Sequence, residues 1–332
     1  MLRKNLLIVS VLVFIIMMTV VQGLAQGSTN PEEIIAKLES GEVLSASEKR
    51  ILMKHYLATT VTISVPGVND AISARLAEEA GFPVLYIGSY AIAASQYGRP
   101  DCYMITWSEM ADKVRSVVNA VNIPVFADGE NGWIYPTNAR RVVQAFEQAG
   151  AVGIHIEDTE FGKHTDLEQI RFSKEHMVGI IRAAVNARVD PNFLIIARCD
   201  VPDPDESVER MQAYLEAGAD MVFPTGALPS KAKGGIEAIK AFRDRIDGPF
   251  FVVNPGTSEA DNEYIGLDVI LHYDFTIAAA YPAVKAALER LMETKDIAQC
   301  SDLLSREGYV DFIGTPDFTS DYYEYMKPYM SK

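Results

Sequence analysis

Two acidic motifs stand directly after apolar runs of this sequence. Asp128 and Glu130 follow one such run, and Glu157 follows another. Carboxylate oxygens are ligands preferred by Mg²⁺ or Mn²⁺ rather than by zinc. Arg198, after a third apolar run, keeps its proton and can bind a carboxylate or phosphonate through two hydrogen bonds. A cation and an arginine facing one small anion could polarise an α-oxo acid and stabilise a developing enolate.

Each of these residues also has a structural interpretation. Asp128 and Glu130 could cap the following helix, since Asp-Gly is common in turns. Arg198 could be a structural partner of Asp200 or Glu157. His155 fits a hydrogen-bonded interior residue better than an acid–base group. Asp128 and Glu157 at neighbouring strand ends favour the functional interpretation, because buried acids are costly unless they are paired or bind a metal.

The elements that must position these residues alternate along the chain. From residue 60, short β-branched runs alternate with longer helical patterns, which predicts eight βα units and a (β/α)₈ barrel. The alternative is a doubly wound open sheet, which would place a glycine-rich phosphate turn after the first strand. The sequence there reads Val65-Pro66-Gly67-Val68-Asn69-Asp70, which favours the barrel. The predicted strands are 61–65, 84–88, 124–128, 152–157, 193–198, 221–224, 250–254 and 268–272.

Barrel enzymes carry their chemistry at the carboxyl ends of the strands. In this sequence those ends are rich in polar residues, so we expect their side chains to meet at one mouth of the barrel. The strand ends read Gly88-Ser89, Asp128-Gly129-Glu130, His155-Ile156-Glu157-Asp158, Arg198-Cys199-Asp200, Asn254 and His272-Tyr273.

Composition narrows the class of protein. The 332 residues are 48% apolar and 23% charged, which is typical of globular proteins. Thirty Lys and Arg against 45 Asp and Glu give a formal charge of −15. Nucleic acid is therefore not an expected partner, because phosphate contacts supply much of that affinity. The three cysteines form neither a disulfide framework nor a CxxC pair.

The N-terminal segment resembles a secretory signal peptide. Arg3 and Lys4 precede an almost wholly apolar run from residue 6 to residue 21, and small residues suitable for cleavage follow. Residues 1–25 therefore predict export to the periplasm or medium, without stable membrane association after cleavage. An uncleaved membrane anchor is the alternative. We expect a helical extension over 26–59, the catalytic barrel over 60–295 and a helical, aromatic tail over 296–332.

From about residue 65 to residue 291 the chain resembles the isocitrate lyase / phosphoenolpyruvate mutase superfamily. The order and spacing of several motifs carry this resemblance. They are Pro66-Gly67-Val68-Asn69-Asp70-Ala71, Gly98-Arg99-Pro100-Asp101, Asp128-Gly129-Glu130-Asn131-Gly132, His155-Ile156-Glu157-Asp158, Phe161-Gly162-Lys163 and Ala197-Arg198-Cys199-Asp200.

The resemblance implies a barrel that exchanges its last helix between subunits of a homodimer or homotetramer. It also implies Mg²⁺-dependent (or Mn²⁺-dependent) cleavage or formation of C–C or P–C bonds in small α-oxo or 2-hydroxy acids. Asp128 would be the direct metal ligand, and Asp101, Glu130 and Glu157 would hold metal-bound waters. Tyr86, Gly88, Ser89, His155, Arg198 and Asn254 form the candidate substrate-binding set, and Lys163, His164, Arg198 and Asp101 the candidate catalytic set.

The mobile loop departs from the family pattern. Lyases of this family carry Lys-Lys/Arg-Cys-Gly-His there, with the cysteine as catalytic acid, whereas this loop reads Lys163-His164-Thr165-Asp166-Leu167. His164 is the remaining candidate proton donor. Phosphonopyruvate enzymes place an Asn where Thr165 stands. The lyase sequence Phe-Pro-Glu is replaced by Phe223-Pro224-Thr225, which argues against a tricarboxylate substrate.

Three functions follow from these observations. The first is an Mg²⁺-dependent lyase acting on a small α-oxo or 2-hydroxy dicarboxylate, with decarboxylation of oxaloacetate-like acids contradicted least by the loop. The second is P–C bond chemistry, as in phosphoenolpyruvate mutase or phosphonopyruvate hydrolase. The third belongs to another class: an exported barrel that binds metal or anions without turnover.

Overall fold

The computed structural model describes residues 27–305 and 307–330, so the predicted signal segment lies outside the described residues. The described chain divides into two compact units, the first ending at Ile277 and the second beginning at Ala278. In these described residues, no helix has the length and apolar character needed to cross a membrane.

Parallel strands form the centre of the first unit. The described strands are β1 (Ile63–Val68), β2 (Leu85–Ile87), β3 (Val125–Asp128), β4 (Gly153–Glu157), β5 (Thr159–Phe161), β6 (Ile170–Arg171), β7 (Leu194–Cys199), β8 (Met221–Pro224), β9 (Phe251–Val253) and β10 (Val269–His272). Eight of these described strands form one sheet in the order β8-β7-β4-β3-β2-β1-β10-β9. A parallel bridge between Val222 and Phe250 joins its two outer strands into a nearly closed barrel. The predicted (β/α)₈ architecture is confirmed.

Helices surround this sheet and continue into the second unit. The described α-helices are α1 (Pro31–Glu39), α2 (Ala46–Thr59), α3 (Ala71–Glu79), α4 (Ser89–Ile92), α5 (Trp107–Val118), α6 (Pro136–Gln148), α7 (Lys174–Val185), α8 (Pro204–Glu216), α9 (Lys231–Arg243), α10 (Glu259–Ile265), α11 (Phe275–Thr294), α12 (Tyr309–Phe312) and α13 (Thr315–Met326). Capping boxes at Ser45, Asp70 and Thr106 begin α2, α3 and α5, so local sequence sets these boundaries.

Each predicted strand is present, but the first is displaced along the chain. The predicted strand 61–65 corresponds to an observed β1 that continues through Pro66 and Gly67 to pair with β2. Gly67 is required there, since a Cβ atom would lie 2.0 Å from the backbone oxygen of Tyr273. The short antiparallel pair β5–β6 was not predicted. Its strands are too short to show a periodic pattern.

Helix α2 covers the amino-terminal end of the barrel. Met53 packs among the side chains that fill the barrel interior. Lys49 Nζ donates to the Val121 carbonyl at 2.7 Å, and Arg50 Nη2 donates to the Glu147 carbonyl at 2.6 Å. Val121 precedes strand β3, and Glu147 lies in the last turn of helix α6, which leads to strand β4. The extension therefore packs at the end of the barrel opposite the polar strand ends.

The second unit is rich in exposed apolar side chains. Helix α11 buries none of its residues. Tyr281, Leu288 and Met292 on that helix are 67%, 62% and 69% exposed. Phe318 and Tyr325 on α13 are likewise exposed.

Candidate active site

Several polar strand ends converge on a cavity of about 210 Å³ at the carboxyl-terminal mouth of the barrel. We call it the first cavity. Phe223, Val253, Leu271 and Tyr273 give part of its wall an apolar character. The predicted site residues that line it are Tyr86, Gly88, Asp101, Asp128, His164 and Arg198.

Asp128 ends strand β3 and is 3% exposed. Its Oδ2 atom accepts a hydrogen bond from the Ser89 hydroxyl at 2.8 Å, and its Oδ1 atom accepts from the Glu130 backbone N–H at 2.8 Å. Burial alone would raise the pKa of Asp128, but its interactions with His155 and with the positive charges of Lys163 and Arg198 hold that pKa below its usual range. The side chain is therefore an ionised oxygen donor.

Four buried acids, Asp101, Asp128, Glu130 and Glu157, form what we call the carboxylate cluster. The ammonium group of Lys163 lies among them and is 3% exposed. Its Nζ atom is 2.5 Å from Glu130 Oε2, 3.2 Å from Asp101 Oδ2 and 3.3 Å from Glu157 Oε1. Although burial opposes the charge, these carboxylates raise the pKa of Lys163 well above its usual value.

The carboxylate cluster fits a hard divalent cation in its chemistry. All of its donors are oxygens, and the buried Glu130 Oε1 atom has no hydrogen-bond partner among the described residues. Within the same described residues, no group of three His, Cys, Asp or Glu side chains is arranged to hold a metal ion. The ammonium group of Lys163 lies between these acids.

Arg198 is held in place from two sides. Its Nη1 atom is 2.8 Å from Glu157 Oε2, and its Nε atom is 2.8 Å from Asp200 Oδ1. Asp200 also accepts hydrogen bonds from the hydroxyls of Thr159 and Thr225. Burial opposes ionisation of Asp200, but Arg198 and these hydroxyls lower its pKa to about 2. The guanidinium thus has structural partners and also faces the cavity.

His155 lies beneath the cavity and is 1% exposed. Its Nε2 atom is 2.8 Å from the Tyr86 hydroxyl, and the two rings stack with centroids 5.7 Å apart. Burial lowers the pKa of His155 to about 4, despite the opposing charge of Asp128. His155 is therefore a neutral interior residue that positions the Tyr86 ring. Gly88 leaves room for that ring, since a Cβ there would lie 2.6 Å from it.

His164 reaches the cavity from the loop between β5 and β6. Its Nε2 atom is 3.5 Å from Asp101 Oδ2, and its ring meets Tyr90 edge-on at 5.5 Å. Thr165 shapes the loop, because its hydroxyl donates to the Gly162 carbonyl and accepts from the Leu167 N–H. Burial lowers the pKa of His164, with Asp101 opposing that effect.

The structure does not bring Asn254 into this site. Its Oδ1 atom accepts the backbone N–H groups of Gly256 and Thr257 at 2.8 and 3.0 Å, which closes a turn after β9. Asn254 lines a separate cavity of about 250 Å³ beside His272. The Asn-Pro-Gly sequence provides the physical reason, since an Asn side chain readily binds its own following backbone.

The five remaining predicted residues are buried and do not line the first cavity. They are Ser89, His155, Glu130, Glu157 and Lys163.

Tyr103 is a site residue that sequence reasoning missed. Its hydroxyl lies 2.6 Å from Glu157 Oε1 and 2.7 Å from the Thr159 carbonyl. Its ring centroid is 5.3 Å from Lys163 Nζ. Burial and Glu157 together raise the pKa of Tyr103 far above its usual value, so the phenol stays protonated. Its position two residues after the Gly98-Arg99-Pro100-Asp101 motif was the sequence feature that could have indicated Tyr103 as a site residue.

The sequence and the barrel fold together place this chain in the phosphoenolpyruvate mutase/isocitrate lyase superfamily of enzymes. A sequence profile of the family "Phosphoenolpyruvate phosphomutase" matches residues 53–292. The chain therefore belongs to that family, and the membership predicted from the motifs is confirmed.

Two curated relatives are similar to this chain in sequence over most of its length. The chain is 34% identical over 250 residues to 2,3-dimethylmalate lyase of Eubacterium barkeri, which covers 71% of this chain and 83% of that protein. It is 32% identical over 266 residues to oxaloacetate decarboxylase of Rhodopseudomonas palustris, which covers 78% of this chain and 90% of that protein.

Two solved structures have a fold similar to that of this chain. Phosphonopyruvate hydrolase in complex with oxalate and Mg²⁺ superimposes with a TM-score of 0.75 at 25% identity, covering 87% of this chain and all of that one. Oxaloacetate acetylhydrolase with 3,3-difluorooxalacetate gives a TM-score of 0.73 at 26% identity, covering 83% of this chain and 95% of that one.

Proposed function

We propose that this protein is a divalent-metal-dependent lyase that cleaves a carbon–carbon bond in a small α-oxo or 2-hydroxy dicarboxylate. The observation that carries this proposal is the first cavity, which Asp128, Asp101 and Arg198 line together. Such a cavity suits a small anion that is held between a cation site and an arginine. The similarity to a dimethylmalate lyase and an oxaloacetate decarboxylase supports the same class of reaction.

Asp128 would bind Mg²⁺ or Mn²⁺ directly, and the other acids of the carboxylate cluster would hold the waters of the ion. When bound, the ion supplies positive charge that polarises the 2-oxo group and stabilises a developing enolate. Ser89 holds the Asp128 carboxylate in position through its hydroxyl. Arg198 orients the substrate by binding a carboxylate, and its two ion pairs keep the guanidinium plane in place.

Decarboxylation is the reaction that this site supports best. The bond between the departing carboxyl group and C3 breaks, CO₂ leaves, and the electron pair of that bond remains as an enolate. A proton must then reach C3. His164 lines the cavity with its side chain 42% exposed, so it can deliver a proton from Nε2 and recover one from solvent. The catalytic cysteine expected of other lyases is not needed for this step.

P–C bond chemistry is the second candidate. The similarity to phosphonopyruvate hydrolase, with a TM-score of 0.75, favours it. The loop argues against it, because the Thr165 hydroxyl is already engaged by Gly162 and Leu167 within its own turn. A phosphoryl group would therefore find one fewer free donor on this loop.

A coupled assay tests these candidates. Protein from Gln26 onward is incubated with oxaloacetate, 2,3-dimethylmalate, methylisocitrate or phosphonopyruvate, and pyruvate is followed with lactate dehydrogenase and NADH. Enzyme-free blanks correct for decarboxylation by Mg²⁺ alone. We expect pyruvate from a C–C substrate, and its loss in chelator. Pyruvate from phosphonopyruvate alone would favour the second candidate, and none from any substrate would contradict the lyase proposal.

A matched pair of variants tests the metal assignment. Asp128→Ala removes the proposed direct ligand, so turnover should fall by at least a thousandfold while the far-ultraviolet circular dichroism stays unchanged. Asp112→Ala removes an aspartate whose side chain is 72% exposed in a surface ion pair, and it should leave turnover intact. Equal activity of the two variants would contradict the role of Asp128.

We also propose that the protein acts as a homo-oligomer after export. The exposed apolar side chains of α11 support association with a second copy, since large exposed apolar patches mark interaction sites. Residues 1–25 support export, with membrane anchoring as the alternative. Light scattering of the mature protein and cell fractionation test the two statements separately.

A further inference from the structure

A second cavity, of about 330 Å³, adjoins the first. The two share His164, Arg198 and Thr225 as lining residues, so they lie on either side of these side chains. The second cavity is more polar, and its further lining residues include Arg171, Gln169, Lys163 and the Asp200 carboxylate. Arg171 and Gln169 have no role in the three functions derived from the sequence.

Arg171 has an unusual electrostatic environment. Its Nε atom donates to the Asp200 backbone carbonyl at 2.8 Å, and its Nη2 atom donates to Gln169 Oε1 at 2.8 Å. Both partners are neutral groups. Among the described residues, no carboxylate lies within the 4.0 Å ion-pair distance of its guanidinium. The side chain is nevertheless partly buried.

The other cations of the cavity differ in this respect. Lys163 lies among three carboxylates, and Arg198 pairs with Glu157 and Asp200. The Asp200 carboxylate is already used by Arg198 and by two threonine hydroxyls. Because a partly buried charge is costly without a counter-ion, the uncompensated guanidinium of Arg171 favours an anion in the second cavity.

We propose that Arg171 is a specificity-determining residue that binds a carboxylate of the substrate remote from its α-oxo or 2-hydroxy acid end. This inference rests on the proposed function, which places that reactive end in the first cavity. The preferred substrate is therefore an acid long enough to pass Arg198 and reach the second cavity.

The position of Arg171 in the fold gives this contact a second effect. Arg171 lies on β6 and pairs with Thr159 on β5, at the base of the loop that carries Lys163 and His164. A carboxylate bound by Arg171 would hold this base in position. Longer acids would then order the loop that covers the reacting end, which short acids cannot do.

Calorimetric binding of dicarboxylates in saturating Mg²⁺ tests the proposal without turnover. The probes are oxalate, which on this proposal fills only the first cavity, and succinate, glutarate and adipate, which are progressively longer. In Arg171→Gln we expect the affinity of the best longer acid to fall about 10- to 100-fold, as for loss of a charge-assisted hydrogen bond. Oxalate affinity should be unchanged, and Arg171→Lys should recover part of the loss.

Arg115→Gln is the matched control, because it removes an arginine from an exposed ion pair on α5. Unchanged oxalate binding by Arg171→Gln also shows that the variant is folded. Equal affinity of the longer acids for wild type and Arg171→Gln would overturn the proposal. So would equal weakening of oxalate, since Arg171 would then act through the loop alone.

The failure of this proposal can be separated from the failure of the proposed function. If the wild type binds oxalate but none of the longer acids, the second subsite is wrong and the proposed function stands. If it binds neither oxalate nor a longer acid in Mg²⁺, both are wrong.

Discussion

Replacing Lys163 by Met removes the ammonium group that lies among the carboxylates of the active site. Glu130, Asp101 and Glu157 each have an oxygen within 3.3 Å of that ammonium, and all are buried. Removing one partner of a buried ion pair typically costs about 3–5 kcal/mol, because the remaining charge is left uncompensated. For a domain of this size, that loss corresponds to a fall in Tm of about 6–20 °C.

The assay is thermal denaturation in chelator and in saturating Mg²⁺. In chelator we expect the large loss of Tm for Lys163→Met. Mg²⁺ should raise the Tm of the variant more than that of the wild type, since the ion replaces the missing positive charge and has no ammonium to displace. Lys174→Met is the control, because Lys174 forms an exposed pair with Glu209 and its loss should change Tm by less than 2 °C.

Two results would refute this reasoning. Equal Tm of wild type and Lys163→Met in chelator would mean that the ammonium does not stabilise the carboxylate cluster. Equal stabilisation of both proteins by Mg²⁺ would mean that the lysine and the metal do not compete for the same carboxylates.

Two further predictions concern the substrate site and the helical extension. Arg198→Lys should raise KM about tenfold or more, because a lysine cannot reproduce the planar pair of donors. Steady-state kinetics on the substrate found by the coupled assay measure this change. An unchanged KM would mean that Arg198 is purely structural. Glu48 is 3% exposed and accepts hydrogen bonds from Lys37 and Ser28; burial opposes its charge, but Lys37 and backbone N–H groups lower its pKa to about 2. Because the folded pKa lies below the unfolded value of 4.5, Glu48 stabilises the protein above pH 4.5, and this stabilisation is lost as the pH falls from 4.5 to 2. Glu48→Gln should therefore cost about 3 kcal/mol at pH 7 and almost nothing near pH 2 in urea denaturation. A cost that is independent of pH would contradict the assignment.

Local sequence was sufficient for much of the fold. The β-branched runs and intervening helical patterns predicted the eight barrel strands, because burial on both faces demands continuous apolar residues. The displaced boundary of β1 was not predictable, since it depends on the contact of Gly67 with the distant Tyr273 backbone. Short elements such as β5 and β6 also escaped prediction, because their pairing lies between residues separated by a loop.

The sequence by itself determined which acids and which arginine meet in the site. Asp128, Glu157 and Arg198 end neighbouring parallel strands, and the carboxyl ends of parallel strands must lie at one mouth of a closed barrel. The order of the strands along the chain and the alternation of side chains within each strand are visible in the sequence, so these positions follow from the barrel architecture without knowledge of the loops.

Only the tertiary structure decided which groups surround these acids and this arginine. It placed the Lys163 ammonium among the acids and turned Asn254 toward its own backbone. It also left Arg171 without a carboxylate partner among the residues that the structure describes. Each of these outcomes depends on the path of a loop, and a loop path is set by contacts between residues far apart in the chain. A sequence pattern specifies the periodicity of strands and helices, whereas the charges that a loop brings together are fixed only when the chain has folded.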